Sequence, residues 1–210
     1  MKREMSIMAF WMVLGFLAGS LPFSVWLGRL FAHADIRQYG DRNPGAVNVG
    51  RAAGWRVGLA ALLLDALKGC VPVGLAHFRF GVSGWGLALV ALAPVVGHAF
   101  SPFLRFRGGK AVAVTFGIWT GLRLGEGPIM LGLLVAIFAL VQSADAWSVV
   151  WAMFAFLVHL LLRGADAFTI AVWAGNVLIL LWKHRQSLQD PVRLRPWLLI
   201  TRRRTRLHRP

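Results

Sequence analysis

Residues 55–77 read WRVGLAALLLDALKGCVPVGLAH, and the fold class turns on how this stretch is taken. A helix needs roughly 20 predominantly apolar residues to cross the hydrocarbon core of a bilayer, and this run is long enough. Yet Asp65 and Lys68 stand in its middle. Each ionisable group at such depth costs at least ~2.5–3.5 kcal/mol on insertion scales. At i and i+3 the two side chains share one helical face and can pair. The stretch therefore reads as a transmembrane helix carrying an internal ion pair, with Lys68 reaching an anionic ligand as the alternative.

The rest of the chain supports a membrane reading. Of 210 residues 58% are hydrophobic, and ten are Trp. A soluble domain is nearer half apolar. Six further apolar runs join the one at Trp55–His77: Ser6–Leu27, Ser83–Phe100, Lys110–Leu122, Pro128–Val141, Ser148–Leu162 and Ala167–Trp182. The runs at Lys110–Leu122 and Pro128–Val141 are short, which implies kinks or incomplete crossing. The opening MKREMSIMAFWMVLGFLAGS imitates a signal peptide, but its apolar character runs on through LPFSVWLGRLF, so a first transmembrane helix fits better. No internal repeat, heptad or low-complexity linker is present. The expected architecture is a single all-α integral-membrane domain of about seven transmembrane helices over residues 1–190, followed by a basic tail at 191–210.

Charge sets the expected orientation. With seven spans, seventeen Lys and Arg fall on the side holding the C-terminus and five on the other. The positive-inside rule then puts the N-terminus outside and the C-terminus in the cytoplasm. A formal charge of +15 would suggest nucleic acid for a soluble chain. Here the basic residues flank apolar runs, so the partners are membrane lipids and phosphate ligands, and no nucleic acid. The tail cluster Arg202, Arg203, Arg204 and Arg206 reads as an anchor at anionic headgroups, worth ~1 kcal/mol per residue near the surface.

Four polar segments break the apolar pattern: DIRQYGDRNPGAVNVGR (35–51), GHAFSPFLRFRGGKA (97–111), QSADAWS (142–148) and WKHRQS (182–187). All four fall at the expected cytoplasmic ends of different spans. Polar backbone is tolerated near the membrane where protein buries it or where it lines a wet cavity, so a shared site is expected on that face. Gly108 and Gly109 let backbone N–H groups approach an anion, and Lys110 adds a point charge ahead of a helix. Leu104 and Ala111 rule out a Walker A loop. Asn43, Pro44 and Gly45 set a turn, Asn48 can bond backbone or ligand, and Arg51 suits bidentate phosphate binding. Taken in isolation, each segment also reads as an ordinary turn with positive-inside arginines.

Other chemistries are excluded more easily. One cysteine, Cys70, rules out an internal disulfide and a Cys-based zinc site. No HExxH or Cys/His spacing occurs, so neither a metal nor another cofactor is expected. There is no GxSxG elbow and no His followed five residues later by Asp, which counts against the His–Asp acyltransferases of glycerolipid synthesis. His98 and His184 lie beside the glycine and basic segments at span ends, unlike the other four histidines.

In this order and on these spans, the segments resemble the PlsY family of integral-membrane acyltransferases. The first motif is similar to GSLPFSVWLGRL with DIRQYGDRNPGAVNVGRAAG (Gly19 to Gly54). DALKG (Asp65 to Gly69), GHAFSPFLRFRGGKAVA (Gly97 to Ala113) and HRQSL (His184 to Leu188) follow. The resemblance implies transfer of an acyl group from acyl-phosphate to the 1-hydroxyl of glycerol 3-phosphate, giving lysophosphatidic acid and phosphate in phospholipid synthesis at the bacterial inner membrane. It also implies roles. Lys110 and His184, with Arg51, would hold phosphate or the developing oxyanion; Gly108 and Gly109 would cradle phosphate; Asn43, Gly45 and Asn48 would shape the first loop; His98 would support the second. Six positions depart from the family pattern: Asp41 and Arg42 in Gly40-Asp41-Arg42-Asn43, where Gly-Ser-Gly-Asn is usual, with Val47 in place of a Thr, Ala111 of a Gly, Asp145 of a Ser and Ser187 of an Asn. Carboxylates near a dianion repel it by ~1–4 kcal/mol at 4 Å. On this reading Arg42 would neutralise Asp41, and Asp145 would act as a base. The alternative is a divergent relative that keeps the anion pocket with altered substrates or a non-catalytic role.

Overall fold

The structure, a computed structural model describing residues 2–195 and 197, divides the first apolar run in two. Helix α1 (Lys2–Ser20) stops before Leu21-Pro22, and α2 (Phe23–Ala32) starts after it. Proline has no N–H for the preceding turn and its ring crowds that turn's carbonyl, which accounts for the break. Next come α3 (Ala46–Ala53), α4 (Trp55–Gly74, prolonged by a π-turn at Leu75–Arg79) and α5 (Gly84–Ala99). The second half holds α6 (Val112–Leu122), α7 (Glu126–Val141), α8 (Asp145–Leu162) and α9 (Ala167–His184). Among the described residues there is no strand, only an isolated bridge between Gln142 and Leu194.

Five segments are long and apolar enough to cross a membrane: Lys2–Ala32, Trp55–Arg79, Gly84–Leu104, Asp145–Leu162 and Ala167–His184. Helices α6 and α7 are apolar but shorter. At 11 residues α6 spans about 16 Å, roughly half a hydrocarbon core. Its start is therefore set inward, and its packing says where. A Cβ on Gly69 would touch Val114, one on Gly117 would collide with the Ala66 carbonyl, and one on Gly121 would come 2.9 Å from the Cys70 carbonyl oxygen. Helices α4 and α6 thus run parallel with backbones in contact, and the first turn of α6 is level with the middle of α4. Helices α1 and α5 are joined the same way, Gly19 against Pro94 and Gly97 against the Phe16 carbonyl. Small residues are how membrane helices approach when burial from water supplies no drive.

A second tie is polar. Trp119 Nε1 donates to Asn176 Oδ1 at 3.3 Å, and Asn176 Nδ2 donates to Thr115 Oγ1 at 2.9 Å, linking α9 to α6. Both amide and indole are buried, and Trp119 also stands edge-on to Phe156 with ring centroids 4.9 Å apart. Outward-facing Phe10, Leu63, Leu133, Leu162 and Leu178 stay exposed, as lipid-facing positions are.

The start of the basic tail is pinned. Ser143 N–H donates to the Arg193 carbonyl at 2.9 Å, Arg195 N–H donates to the Val141 carbonyl at 2.9 Å, and the Arg195 guanidinium bonds the Ala139 carbonyl at 2.7 Å. The expected headgroup anchor at Arg202, Arg203, Arg204 and Arg206 lies outside the described residues. Gly117→Val should force α4 and α6 apart and lower stability by about 1–3 kcal/mol, the usual penalty of overpacking. Thermal unfolding in detergent, followed by Trp fluorescence, checks it; an unchanged midpoint would refute the close contact.

Candidate functional site

The ion pair expected within the second apolar run is present. Lys68 Nζ lies 2.7 Å from Asp65 Oδ1, both side chains are 3% exposed, and the pair has further partners. Ser24 Oγ donates to Asp65 Oδ2 at 2.7 Å, and Lys68 Nζ donates to the Leu21 carbonyl at 2.8 Å. That carbonyl belongs to the break between α1 and α2, where the helix has no amide to offer it. His98 Nδ1 stands 4.0 Å from Asp65 Oδ1. The alternative role for Lys68, contact with an anionic ligand, is not what this geometry favours, since its ammonium is already engaged by protein.

His98 links this buried group to the glycine loop. Its carbonyl accepts from Gly109 N–H at 3.1 Å, and a Cβ on Gly109 would strike its ring at Nε2. Lys183 braces the other side, donating to the carbonyls of Gly108 at 2.8 Å and Ala99 at 2.9 Å. In the sequence Lys183 is only a charge at a span end, and no local pattern marks a lysine that will cap a loop 75 residues away. The sequence reading gave both glycine amides to an anion. Gly109 N–H is taken by His98, which leaves the N–H groups of Gly108 and Lys110 without a backbone partner among the described residues.

The first-motif loop meets this one side by side. Asp35 accepts from the Arg37 N–H at 3.0 Å and from the Arg37 guanidinium, which holds its carboxyl down at about 2 and fixes the turn entering the loop. Further on, Asp41 Oδ2 is 2.7 Å from Lys110 Nζ. Lys110, and not Arg42, is therefore the cation that neutralises Asp41, a correction to the sequence expectation. Asp41 Oδ1 accepts from Asn48 Nδ2 at 2.9 Å and from Asn43 N–H at 3.2 Å. Asn48 Oδ1 in turn accepts from Arg51 Nη1 at 3.0 Å. Gly40 has φ +52°, and the Arg51 guanidinium sits where a Cβ would project, so a bare α-carbon is needed there. Gly45 caps α3 in extended conformation. Burial pushes the Asp41 carboxyl up, but Lys110 and the Asn43 and Asn48 donors outweigh it and leave it below the ordinary value. Its contribution to stability is complete above the unfolded value of 3.8 and is lost as pH falls through the lower folded value.

The end of α9 closes the group. Lys110 Nζ also donates to Ser187 Oγ at 3.0 Å. Buried His184 has Nδ1 at 2.9 Å from the Leu180 carbonyl. A carbonyl only accepts, so neutral His184 carries its proton on Nδ1 and presents Nε2 as the basic nitrogen. Of the expected residues, the structure brings together Asp41, Asn43, Asn48, Arg51, Gly108, Gly109, Lys110 and Ser187, with His184 beside them. Asp145 is exposed at the first position of α8 and makes no hydrogen bond or ion pair with this group. Ser148, one turn on, is buried with its hydroxyl unpartnered among the described residues.

Comparison with known proteins gives the family. Residues 9–193 match the family described as glycerol-3-phosphate acyltransferase. Glycerol-3-phosphate acyltransferase 1 of Thermotoga maritima is 36% identical over 195 residues, covering 86% of this chain and 95% of that protein. The glycerol-3-phosphate acyltransferase of Desulfovibrio desulfuricans is 40% identical over 200 residues, covering 88% and 80%. Among solved structures, PlsY, an integral membrane glycerol 3-phosphate acyltransferase, superposes in its glycerol 3-phosphate form with a TM-score of 0.77 at 27% identity over 93% of both chains. Its lysophosphatidic acid form matches equally well, at 26% identity. The fold is that of an integral-membrane acyltransferase. The chain belongs to the glycerol-3-phosphate acyltransferase family, of the PlsY type.

Removing one member of the buried pair tests its role. Lys68→Met should destabilise by about 3–5 kcal/mol, because it strands a carboxylate in an apolar interior. The double replacement Asp65→Leu with Lys68→Met should recover much of that loss in a thermal unfolding series.

Proposed function

We propose that this protein takes the acyl group of an acyl-phosphate and places it on the 1-hydroxyl of glycerol 3-phosphate at the cytoplasmic face of the bacterial inner membrane. The hydroxyl oxygen bonds to the acyl carbon, the bond from that carbon to the phosphate oxygen breaks, and the products are lysophosphatidic acid and phosphate. The observation that carries this reading is the meeting of Lys110, Arg51, Asn48 and the Gly108 and Lys110 amides at one end of the helices, a donor set with no acceptor of comparable charge except Asp41. Structures of PlsY in a glycerol 3-phosphate form and a lysophosphatidic acid form lend support from the acceptor and product sides.

The roles follow from chemistry. Attack builds negative charge on the acyl oxygen, and preorganised N–H donors and cations lower that barrier most. Lys110 and the adjacent amides supply them, while Arg51, oriented by Asn48 and Gly40, holds a phosphate. His184 Nε2 is the base that receives the hydroxyl proton. Seven spans with the N-terminus outside complete the proposal, and residues 191–210 continue it as a basic tail at anionic lipid headgroups. Asp145, exposed and apart, has no part in the step.

Purified enzyme in detergent or bilayers, given acyl-phosphate and glycerol 3-phosphate, should release phosphate and form lysophosphatidic acid. Lys110→Ala and Arg51→Ala should each lower kcat/KM by about 10²-fold or more, the scale of losing one charge-stabilising group. Wild-type turnover no faster than that of Lys110→Ala would overturn the reading.

A further inference from the structure

Asp41 is out of place among groups suited to phosphate. Its two oxygens occupy the Lys110 ammonium, the Asn48 amide and the Asn43 N–H at 2.7, 2.9 and 3.2 Å. Ser187 holds the same ammonium from another side at 3.0 Å, so Lys110 is fixed toward the carboxylate instead of swinging free of it. Asn48 is shared with Arg51, so the second cation is tied into the same network. Nor is the carboxylate sealed away: its side chain is 46% exposed, and that of Lys110 is 24% exposed, so an anion from solution reaches both.

We propose that Asp41 is a specificity-determining residue that selects phosphate monoesters by charge, admitting the singly charged form to Lys110 and penalising the doubly charged one. The proposal rests on the acyl-transfer reading of this site. A phosphate arriving at Lys110 either displaces the carboxylate by a few ångströms or binds beside it. In both arrangements the ligand faces a fixed negative charge at short range, and the repulsion grows with ligand charge. At a half-exposed, screened position the effect is on the order of tenfold in affinity for each added unit of charge. Phosphate monoesters lose their second proton near pH 6. Selection by Asp41 therefore shows as weaker binding above that pH, although the carboxylate itself stays ionised throughout. The groups facing Asp41 are Lys110 from the entry to α6, Asn43, Asn48 and Arg51 from the first loop and α3, and Ser187 with His184 from the end of α9. His184 is the one among them whose ordinary titration falls in the same window. Asp41 acts on it electrostatically, so the variants alter its titration too, and a permanently monoanionic phosphate diester reports that effect by itself.

The experiment measures KM for each substrate with the other saturating, at about pH 5.5 and about pH 8, either side of the phosphate titration. Wild type is compared with the near-isosteric Asp41→Asn and with Asp41→Ser. For one of the two substrates, the rise in KM with pH should be about tenfold larger in wild type than in the variants, with kcat within a few-fold. The substrate that shows it is the one whose phosphate sits on Lys110. Superimposable KM profiles, or a fall in kcat with KM unchanged, would overturn the proposal. Calorimetric titration with methyl phosphate, against permanently monoanionic dimethyl phosphate, gives the same comparison without turnover. Methyl phosphate should weaken with pH in wild type and much less in Asp41→Asn, and equal behaviour in the two proteins would again refute it. Absence of wild-type turnover alone would count against acyl transfer, while the titration would still decide charge selection.

Discussion

A carboxylate and an ammonium placed in the middle of an apolar helix have to find every partner inside the protein, and Asp65 and Lys68 organise much of this fold by doing so. Their mutual attraction alone does not offset the loss of hydration of two ions. The remainder comes from α2 through Ser24, from the α1–α2 break through the Leu21 carbonyl, and from the neighbourhood of His98 on α5. Each of those contacts fixes an element that the apolar pattern leaves free to slide. The break at Pro22 is stable because Lys68 satisfies the carbonyl it orphans. His98 then transmits the position of this buried group to the glycine loop through its own carbonyl and ring.

The short α6 is the second constraint. A helix of 11 residues cannot span the hydrocarbon, and its first turn is level with the middle of α4, so the loop ahead of it is set back among the helices, where many backbone groups need partners within the protein. The glycines answer one half of that problem by allowing backbone to lie directly on α5. Lys183 answers the other by capping two carbonyls, Ala99 and Gly108, whose helix and loop offer no amide. Among the described residues the N–H groups of Gly108 and Lys110, like those of the first turn of α6, have no backbone partner. The same shortage of partners that would destabilise an ordinary membrane loop leaves these donors free for the phosphate of the proposed reaction.

These relations were unevenly legible in the sequence. Apolar runs were readable because bilayer thickness imposes a length on each, and all seven are helical, five of them of spanning length. The Asp65–Lys68 pair was readable because i, i+3 spacing is local. That four polar segments share a face followed from alternation of the runs. The partners across those segments did not follow: Lys110 meets Asp41 and Ser187, each about 70 or more residues away, and Arg42 lay closer in sequence to Asp41 than its true partner. The division of the first run at Leu21-Pro22 was also missed, since proline in an apolar run can kink a helix or end it, and the deciding contact comes from Lys68.

Backbone conformation at two departures from the family pattern sharpens what those departures mean. Arg42 and Ala111 stand where the family usually has glycine, and both adopt left-handed conformations, at φ +61° and +64°. A side chain in that region costs roughly 1–2 kcal/mol that glycine avoids. Relaxing into a right-handed or extended conformation would remove that cost, yet both loops keep a shape only glycine takes easily. At Arg42 the left-handed turn directs Asp41 toward Lys110 and leaves Asn43 N–H aimed back at its carboxylate. At Ala111 it starts α6, whose first bond runs from Thr115 N–H to the Ala111 carbonyl. Strain of this kind persists when surroundings over-determine the backbone, and the two positions flank the contact between Asp41 and Lys110 that joins the loops. Arg42 and Ala111 thus carry side chains in the backbone geometry that brings Lys110 to the first-motif loop, and that geometry is held against an energetic penalty. A loop freed from any need to place those donors would have no reason to retain it.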